Sequence, residues 1–410
     1  MHKHTRIYLF LLTAVLFGVG TGFFGSPLLF RGAEVISTLF LNYLSMIAAP
    51  IVLLAILSTL LNMKGLEQMK GLGKKVIGYT LLTTTLASLV ALGFFLLIDP
   101  VASLQKSAEI AFEVQQQSYL HFLMEIIPSN IFAAFMENKV ISIAFLGFLF
   151  GIVSHFLPNE SRATLQKGFT ALFHLFLKIA EIVTYVMPIA VWAFVTLLIK
   201  ESQEQTGAIQ GLWPYLGVIV LANLIQGLVI IPIILKLKGL SPWKIAKGGF
   251  KAILLAFFTK SSNATLPMSL KVAKEELNIH PEVAHFTLPL CTVVNMNGCA
   301  AFILTTVLFV AGVHGHVFSP IDLAFWVVMS VLAAVGNAGV PMGCFFLSSA
   351  FLIGMGVPLS TMGLILPFYA LIDMEETALN VWSDLSVAAL VDRDTRERTV
   401  KILPSIFRFF

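Results

Sequence analysis

The sequence predicts an all-α polytopic membrane protein with eight transmembrane helices and two re-entrant helical hairpins. Of its 410 residues, 58% are apolar and 12% are charged, whereas soluble globular chains carry about 25% charged residues. Apolar stretches of about 18 residues or more, long enough to cross a bilayer as helices, recur along the whole chain. The alternating pattern of a membrane β-barrel is absent, so the helical class is favoured.

Six uninterrupted spans are predicted before residue 240. The first could be a signal peptide, because Lys3 and Arg6 precede it. Its apolar run is longer than a typical signal core and has no clear cleavage site, so a first transmembrane helix is preferred. The six spans cover residues 7–30, 36–62, 76–99, 139–157, 170–199 and 213–236, and a polar external loop is expected at 102–117.

Lysine and arginine are concentrated in a few segments between the spans. By the positive-inside rule these segments are cytoplasmic, as are both termini. We expect a multi-pass protein of the plasma membrane (a bacterial inner membrane) in contact with the lipid bilayer and without a nucleic-acid surface. The basic segments are residues 3–6, 64–75, 162–178, 236–251, 271–274 and 393–408.

Two later apolar segments are broken in the middle. Residues 246–275 are interrupted at 259–267 and have basic residues on both sides, which predicts a hairpin that dips into the membrane and returns. Residues 321–356 are interrupted at 336–343 and have few basic flanks, as expected for a hairpin entering from outside. Two kinked ordinary helices are the alternative. Paired broken segments of this kind indicate a transporter's binding site.

The remaining spans complete the predicted organisation. Residues 282–312 form a span interrupted at Asn295-Met296-Asn297-Gly298, and 359–391 form the last span. Residues 1–240 are therefore assigned to six N-terminal helices, 241–392 to a C-terminal transport core, and 393–410 to a cytoplasmic tail.

The last span carries most of the buried charge, and ionisable residues at membrane depth are costly enough to indicate function. At 100° per residue, Asp373, Asn380 and Asp384 fall within about 40° of one another. Thr377 lies beside them, and Glu376 lies about 60° to the other side. This face suits an ammonium group and hard cations, which prefer oxygen ligands.

Other polar residues of the region are interpreted as structural. Glu375 points away from the carboxylate face, which favours a structural or interfacial role. Cys291, Cys299 and Cys344 lie in apolar surroundings without metal-ligand spacing, so packing is favoured over a disulfide framework or a metal site.

The breaks themselves offer ligands for both ends of an amino acid. The interruption at Asn295 frees backbone carbonyls and adds amide oxygens, which predicts a Na⁺ site. Helix N-termini at the hairpin tips present N–H groups to a carboxylate. Together with the carboxylate face, these features predict a zwitterionic amino acid as substrate.

An enzyme and a channel are the two alternatives to a carrier. An intramembrane hydrolase could use Lys260 with Ser261, but adjacent loop residues rarely face each other as base and nucleophile, so no enzyme is expected. A channel is a further alternative, although two occluding hairpins favour alternating access.

Four ordered motifs resemble those of the dicarboxylate/amino acid:cation symporters, the glutamate transporter family. Residues 260–267 resemble the serine-rich motif of the first hairpin, and 295–298 resemble N-M-D-G. Residues 336–341 resemble G-T-A-G-V-P, and 373–384 resemble D-M-x-R-T-x-x-N-V-x-x-D. The resemblance implies a fold with inverted repeats, homotrimeric assembly, a third helix within the transport unit, sodium as coupling ion and no other cofactor.

The resemblance also implies a role for each matching residue. Asp373 would bind the substrate ammonium, while Asn380 and Ser262 would bind its carboxylate. The substrate residues implied are Ser261, Ser262, Gly339, Val340, Asp373, Glu376, Thr377 and Asn380. The sodium-site residues implied are, for the first site, Asp384 with carbonyls of Cys291, Asn295 and Asn380; for the second, Met296 with carbonyls of Val293, Ala334, Val335 and Asn337; and for the third, Thr83, Thr84, Asn295 and the position of Asn297.

Two departures from the family pattern bear on substrate and coupling. Asn297 replaces the aspartate of N-M-D-G, which puts the third sodium site in doubt. Glu376 stands where members that carry acidic amino acids have an arginine, and a glutamate would repel a second substrate carboxylate. The run from Glu376 to Asn380 resembles the serine/threonine-carrying branch. A sodium-coupled symporter of a neutral amino acid (serine-, threonine- or alanine-like) is therefore predicted, with a symporter of an acidic amino acid or C4-dicarboxylate, coupled to Na⁺ and/or H⁺, as the alternative.

Overall fold

The computed structural model describes residues 2–62, 71–102, 127–136, 140–204, 212–335, 337 and 342–406, and all regular structure within them is helical. This confirms the all-α prediction for the described ranges. The helices are α1 (His2–Phe24), α2 (Pro27–Asn62), α3 (Leu72–Ile98), α4 (Ile131–Met136), α5 (Val140–Val153), α6 (Asn159–Glu204), α7 (Leu212–Ile225), α8 (Ile231–Leu237), α9 (Pro242–Thr259), α10 (Ser262–Glu275), α11 (Pro281–Val294), α12 (Asn297–Val313), α13 (Pro320–Val335), α14 (Gly343–Gly354) and α15 (Ser360–Ile406); a 3₁₀ turn covers Ser154–Phe156 and a π-helical turn Gln226–Ile230.

Local sequence signals account for several helix boundaries. Ser241 caps α9 by accepting a hydrogen bond from the N–H of Lys244, and Pro242 occupies the first helical position, where its missing N–H costs nothing. Ser319 and Asp322 form a reciprocal cap at the start of α13: the backbone N–H of each one hydrogen-bonds the side chain of the other, at 2.6 Å and 3.4 Å.

The boundary between the first two helices differs from the predicted one. The predicted first span includes residues 25–30, but α1 ends at Phe24 and α2 begins at Pro27. The reason is Pro27, which disfavours helical geometry in the residue before it and fits the first position of a new helix. The predicted external loop at 102–117 lies almost wholly outside the described residues.

Three helical segments among the described residues are both long and apolar enough to cross a bilayer. They are Leu72–Ile98, Leu212–Leu237, which joins α7 to α8, and Pro281–Val313, which joins α11 to α12. The number of eight spans stays a prediction.

Both predicted breaks are present in the fold. In the first, α9 and α10 pack side by side and are separated only by Lys260 and Ser261. In the second, α13 ends at Val335 and α14 begins at Gly343, and the rings of Trp326 and Phe351 meet edge to face at 5.4 Å between the two helices. Re-entry from one side of a membrane stays a prediction for both.

The C-terminal helices enclose α12. Every residue of α12 is buried, and it packs against α3, α7, α13, α14 and α15. On the N-terminal side, α1 and α2 pack against α6, and α5 packs against α2. The last helix continues to Ile406, well beyond residue 391, where the last span was predicted to end. The division into scaffold, transport core and tail stays a prediction.

Candidate functional site

The site is built around the break between α11 and α12. Asn295 and Met296 have non-helical backbone angles (φ −101°, ψ 72° and φ −111°, ψ 67°), so the helix stops and restarts at Asn297. Both residues are buried, at 0% and 5% exposure. Non-helical backbone at such a place leaves peptide groups free for ligands or side chains.

Gly298 allows the restarted helix to approach α15 very closely. Its N–H donates to Oδ1 of Asn380 at 2.9 Å. A Cβ at this position would lie 2.7 Å from Cα of Glu376, closer than side chains tolerate. The N-terminal turn of α12 is therefore held directly against Glu376 and Asn380, and its N–H groups favour negative charge there.

Asn295 links three helices through its amide. Its Oδ1 accepts a hydrogen bond from Oγ1 of Thr83 on α3 at 3.1 Å. Its Nδ2 donates to Oγ of Ser383 and to Oδ1 of Asp384 on α15, both at 2.9 Å. All four side chains are 1% exposed or less. Asp384 and Thr83, which the resemblance groups with Asn295, thus contact its side chain directly, and a sodium ion bound there stays a prediction.

Asn297, two residues further on, forms a second bridge between α3 and α15. Its Oδ1 accepts from Oγ1 of Thr84 at 2.9 Å, and its Nδ2 donates to Oγ of Ser383 at 2.8 Å. The amide therefore satisfies both neighbours without a charge. A carboxylate at this position could still accept from Thr84, but it could not donate to Ser383.

The tip of the first hairpin lies beside α15. Lys260 has a left-handed backbone conformation (φ 52°) that ends α9, and its Nζ lies 3.9 Å from Oδ2 of Asp373. Ser261 caps α10 by accepting a hydrogen bond from the N–H of Ala264 at 3.2 Å, and Ser262 is buried in the first turn. This hairpin tip therefore brings a cation and a helix N-terminus to Asp373.

The second hairpin reaches the same helix three residues further on. Cys344, in the first turn of α14, lies with Cys299 of α12 and Glu376 of α15 in one buried cluster, with all ligand atoms within 4.8 Å of one another. Nδ2 of Asn337 donates to both sulfur atoms at 3.0 Å. Both carboxylate oxygens of Glu376 are buried and have no nitrogen or oxygen donor among the residues that the structure describes.

Two of the backbone carbonyls that are predicted to bind sodium accept hydrogen bonds from backbone N–H groups. The carbonyl of Cys291 accepts from the N–H of Asn295 at 2.8 Å, and that of Ala334 accepts from the N–H of Asn337 at 3.1 Å. Val293 and Val335 are half-buried. A carbonyl oxygen has a second lone pair, so these contacts leave coordination open.

Some of the other predicted residues join the hydrogen-bond network, and two lie outside the described residues. Thr377 donates its hydroxyl to the carbonyl of Asp373 at 2.7 Å, inside its own helix. The side-chain Nδ2 of Asn380 lies 3.5 Å from Sδ of Met296. Gly339 and Val340 lie outside the described residues.

Two members of the network were not predicted. Ser383 accepts from both asparagines, and its position directly before Asp384 was the available signal. Gln226 begins the π-helical turn and donates its Nε2 to the carbonyl of Thr83 at 2.9 Å. The same turn leaves the carbonyl of Gly227 to accept from Nε1 of Trp382 at 3.0 Å. A buried glutamine in an apolar span was the signal for this contact, and π-helical turns recur at functional sites.

The arrangement suits binding better than covalent chemistry. Carboxylate, amide and hydroxyl oxygens from four helices converge in the apolar interior of the protein, which matches the ligand preference of hard cations. Two helix N-termini and a lysine–aspartate pair adjoin these oxygens. Such a set can hold an ammonium group, a carboxylate and cations together.

Comparison with known proteins agrees with this geometry. The model of the sodium:dicarboxylate symporter family matches residues 7–394, nearly the whole chain. The chain is 25% identical to the proton/glutamate-aspartate symporter of Escherichia coli (strain K12), over 84% of this chain and 80% of that protein. It is 26% identical to the proton/sodium-glutamate symport protein of Bacillus subtilis (strain 168), over 95% and 92%.

The name of a mammalian relative gives a different substrate. The neutral amino acid transporter B(0) of Oryctolagus cuniculus is 24% identical, over 86% of this chain and 72% of that protein. The extent of the family match and the apolar helices identify a membrane-embedded symporter of amino acids or dicarboxylates, in a family of transporters rather than enzymes. The chain belongs to the sodium:dicarboxylate symporter family.

Proposed function

We propose that the protein is a sodium-coupled symporter of a neutral amino acid of the serine, threonine or alanine type. The observation that carries this substrate class is the position of Glu376. Its side chain is 1% exposed and lies where the starts of α12 and α14 meet α15, and within the described ranges no nitrogen or oxygen donor reaches its carboxylate. A substrate with a side-chain carboxylate would meet a like charge there, at a cost of several kcal/mol.

The backbone of the amino acid would bind between the two hairpins. Asp373 supplies a carboxylate for the ammonium group, with Lys260 as its resting partner at 3.9 Å. Asn380, Ser262 and the N–H groups at the starts of α10 and α14 suit the substrate carboxylate. The undescribed residues Gly339 and Val340 belong to this proposal through the family resemblance alone.

Sodium ions would bind to the oxygen network behind the substrate. Asp384 is the carboxylate of that network, Asn295 donates its Nδ2 to it, and Oγ1 of Thr83 hydrogen-bonds Oδ1 of Asn295, so that amide and hydroxyl oxygens adjoin the carboxylate. The second proposed site lies around Met296 and Asn337, at the break in α12 and the end of α13. Alternating access, with α13 and α14 as a gate, homotrimeric assembly and a bacterial inner membrane location complete the proposal.

Transport of an acidic amino acid or C4-dicarboxylate is the second candidate. The names of the Escherichia coli and Bacillus subtilis relatives favour it. Lys260 is the cation at the hairpin tip that could hold an extra carboxylate, but its ammonium is already paired with Asp373.

Uptake by purified protein in proteoliposomes tests the proposal. We expect saturable serine, threonine or alanine uptake that requires an inward Na⁺ gradient, that is lost in Asp384→Asn, and that excess glutamate inhibits weakly. Uptake that follows a proton gradient without Na⁺, or that prefers glutamate, would support the second candidate instead. Flux that does not saturate and persists in Asp384→Asn would contradict a carrier.

A further inference from the structure

The cluster of Cys299, Cys344 and Glu376 has the composition of a metal site. It contains two thiols and one carboxylate, and the three ligand atoms lie within 4.8 Å of one another. Tetrahedral Zn²⁺ with bonds of about 2.3 Å to sulfur and about 2.0 Å to oxygen places neighbouring ligands about 3.5 to 3.8 Å apart. A contraction of about 1 Å, within reach of side-chain rotation, would therefore close the cluster around an ion.

The cluster has little internal compensation for its charge. Both oxygens of Glu376 are buried and have no nitrogen or oxygen donor among the described residues, and the thiol of Cys344, which faces the carboxylate, is a weak donor. A buried carboxylate without compensation is costly, so a bound cation would relieve a cost that the protein otherwise bears. Cys299 and Cys344 are 5% and 1% exposed, which excludes bulk water as the ordinary partner.

Burial disfavours free thiolates here, but several neighbouring groups would stabilise sulfur atoms once a metal ion has replaced their protons. Cys299 lies in the first turn of α12 and Cys344 in the first turn of α14, where helix N-termini stabilise negative charge. Nδ2 of Asn337 donates to both sulfur atoms at 3.0 Å. Donors of this kind hold metal-ligating sulfur atoms in place and strengthen binding. The soft sulfur ligands favour zinc-group cations over Na⁺, Mg²⁺ or Ca²⁺.

We propose that Cys299, Cys344 and Glu376 bind a thiophilic divalent cation, Zn²⁺ or Cd²⁺, with the fourth coordination position open to water or substrate. Binding releases one proton from each thiol to solvent and joins α12, α14 and α15 through one ion. Because α14 belongs to the second hairpin, the ion would hold that hairpin closed and block transport. The block rests on the proposed function, whereas metal binding does not.

Cadmium titration of the purified protein in detergent tests the site. We expect the ultraviolet charge-transfer band of two thiolates to saturate at one Cd²⁺ per chain. Cys299→Ser and Cys344→Ser should each halve the band and weaken binding at least tenfold, and Glu376→Gln should weaken it with the band retained. Cys291→Ser is the matched control, since it removes a buried thiol outside the cluster and should leave the titration unchanged. A full band in the Cys299→Ser/Cys344→Ser double variant would overturn the proposal.

Zinc X-ray absorption on the unmodified protein gives a test that needs no variant. Two sulfur neighbours at about 2.3 Å, with lighter neighbours at about 2.0 Å, are expected. A spectrum with only nitrogen and oxygen neighbours would refute the site.

Uptake assays with and without Zn²⁺ distinguish this inference from the proposed function. Zn²⁺ should inhibit uptake by the unmodified protein, and at least tenfold more should be needed in Cys299→Ser. Equal inhibition of the two proteins would refute the block. Absence of amino-acid uptake without metal would contradict the proposed function alone, because the cadmium titration does not depend on it.

Discussion

Removing the charge of Glu376 should admit acidic substrates. Glu376→Gln keeps the side-chain volume and the close approach of Gly298, whose hypothetical Cβ would lie 2.7 Å from Cα of residue 376. It changes only the charge and hydrogen-bonding capacity of a carboxylate that accepts no hydrogen bond from a nitrogen or oxygen atom in the described part of the chain. The variant is therefore a clean test of electrostatic selection.

The expected size of the effect follows from the burial. A substrate carboxylate packed about 4 Å from Glu376 would be repelled by about 4 kcal/mol at an effective dielectric constant of about 20. Each 1.4 kcal/mol is about tenfold in affinity, and sodium ions bound nearby would offset part of the repulsion. We therefore expect glutamate to compete at least tenfold better against labelled substrate in Glu376→Gln than in the unmodified protein.

The assay is competition by glutamate and by serine in proteoliposomes at a fixed Na⁺ gradient. Glu375→Gln is the matched control, because it removes a neighbouring carboxylate that is half-buried and outside the cluster; its glutamate competition should not change. Equal glutamate competition in the unmodified protein and in Glu376→Gln would refute the reasoning, since it would mean that Glu376 carries no charge when substrate binds.

Three further substitutions probe the same core. Asp373→Asn should weaken equilibrium binding of the neutral amino acid at least tenfold at an unchanged melting temperature, because the ammonium loses its counter-charge; retained affinity would contradict the ammonium role. Asn297→Asp should steepen the Na⁺ dependence of uptake by restoring a carboxylate, and an identical Na⁺ curve would argue against a third site there. Gly298→Ala should cost about 1–3 kcal/mol of stability through contact with Glu376, seen as a lower melting temperature than Gly93→Ala, where a Cβ meets open space; equal melting temperatures would contradict the close packing.

The sequence was sufficient for the helices and for the carboxylate face. Long apolar runs fix the helical segments because backbone groups in a lipid environment must be hydrogen-bonded within the segment. The break at Asn295 was visible because polar residues and a glycine interrupt an otherwise apolar stretch. The 100° geometry puts Asp384 and Asn380 on one face of α15, and in the structure they hydrogen-bond Asn295 and Gly298 respectively.

Contacts between distant segments could not be predicted. Cys299 and Cys344 looked like separate packing residues, because nothing in their spacing indicates that the first turns of α12 and α14 meet on α15. Ser383 lies about 100° around the helix from Asp384 and was not among the predicted site residues. In the structure it lies between the amides of Asn295 and Asn297. Such contacts depend on how the helices pack, which local periodicity does not encode.

The two departures from the family motifs, Glu376 and Asn297, both disfavour an acidic substrate. Lys260 offsets Asp373, which leaves Glu376 and Asp384 as the carboxylates of the proposed site that two Na⁺ ions could neutralise. A zwitterionic substrate adds no net charge, so the loaded core would be close to neutral. A substrate with an extra carboxylate would need a further cation, yet Asn297 has removed the carboxylate that would hold one. Because uncompensated buried charge is costly, the same residues that disfavour an acidic substrate also limit the number of coupled cations, and we expect no more than two Na⁺ ions per neutral amino acid.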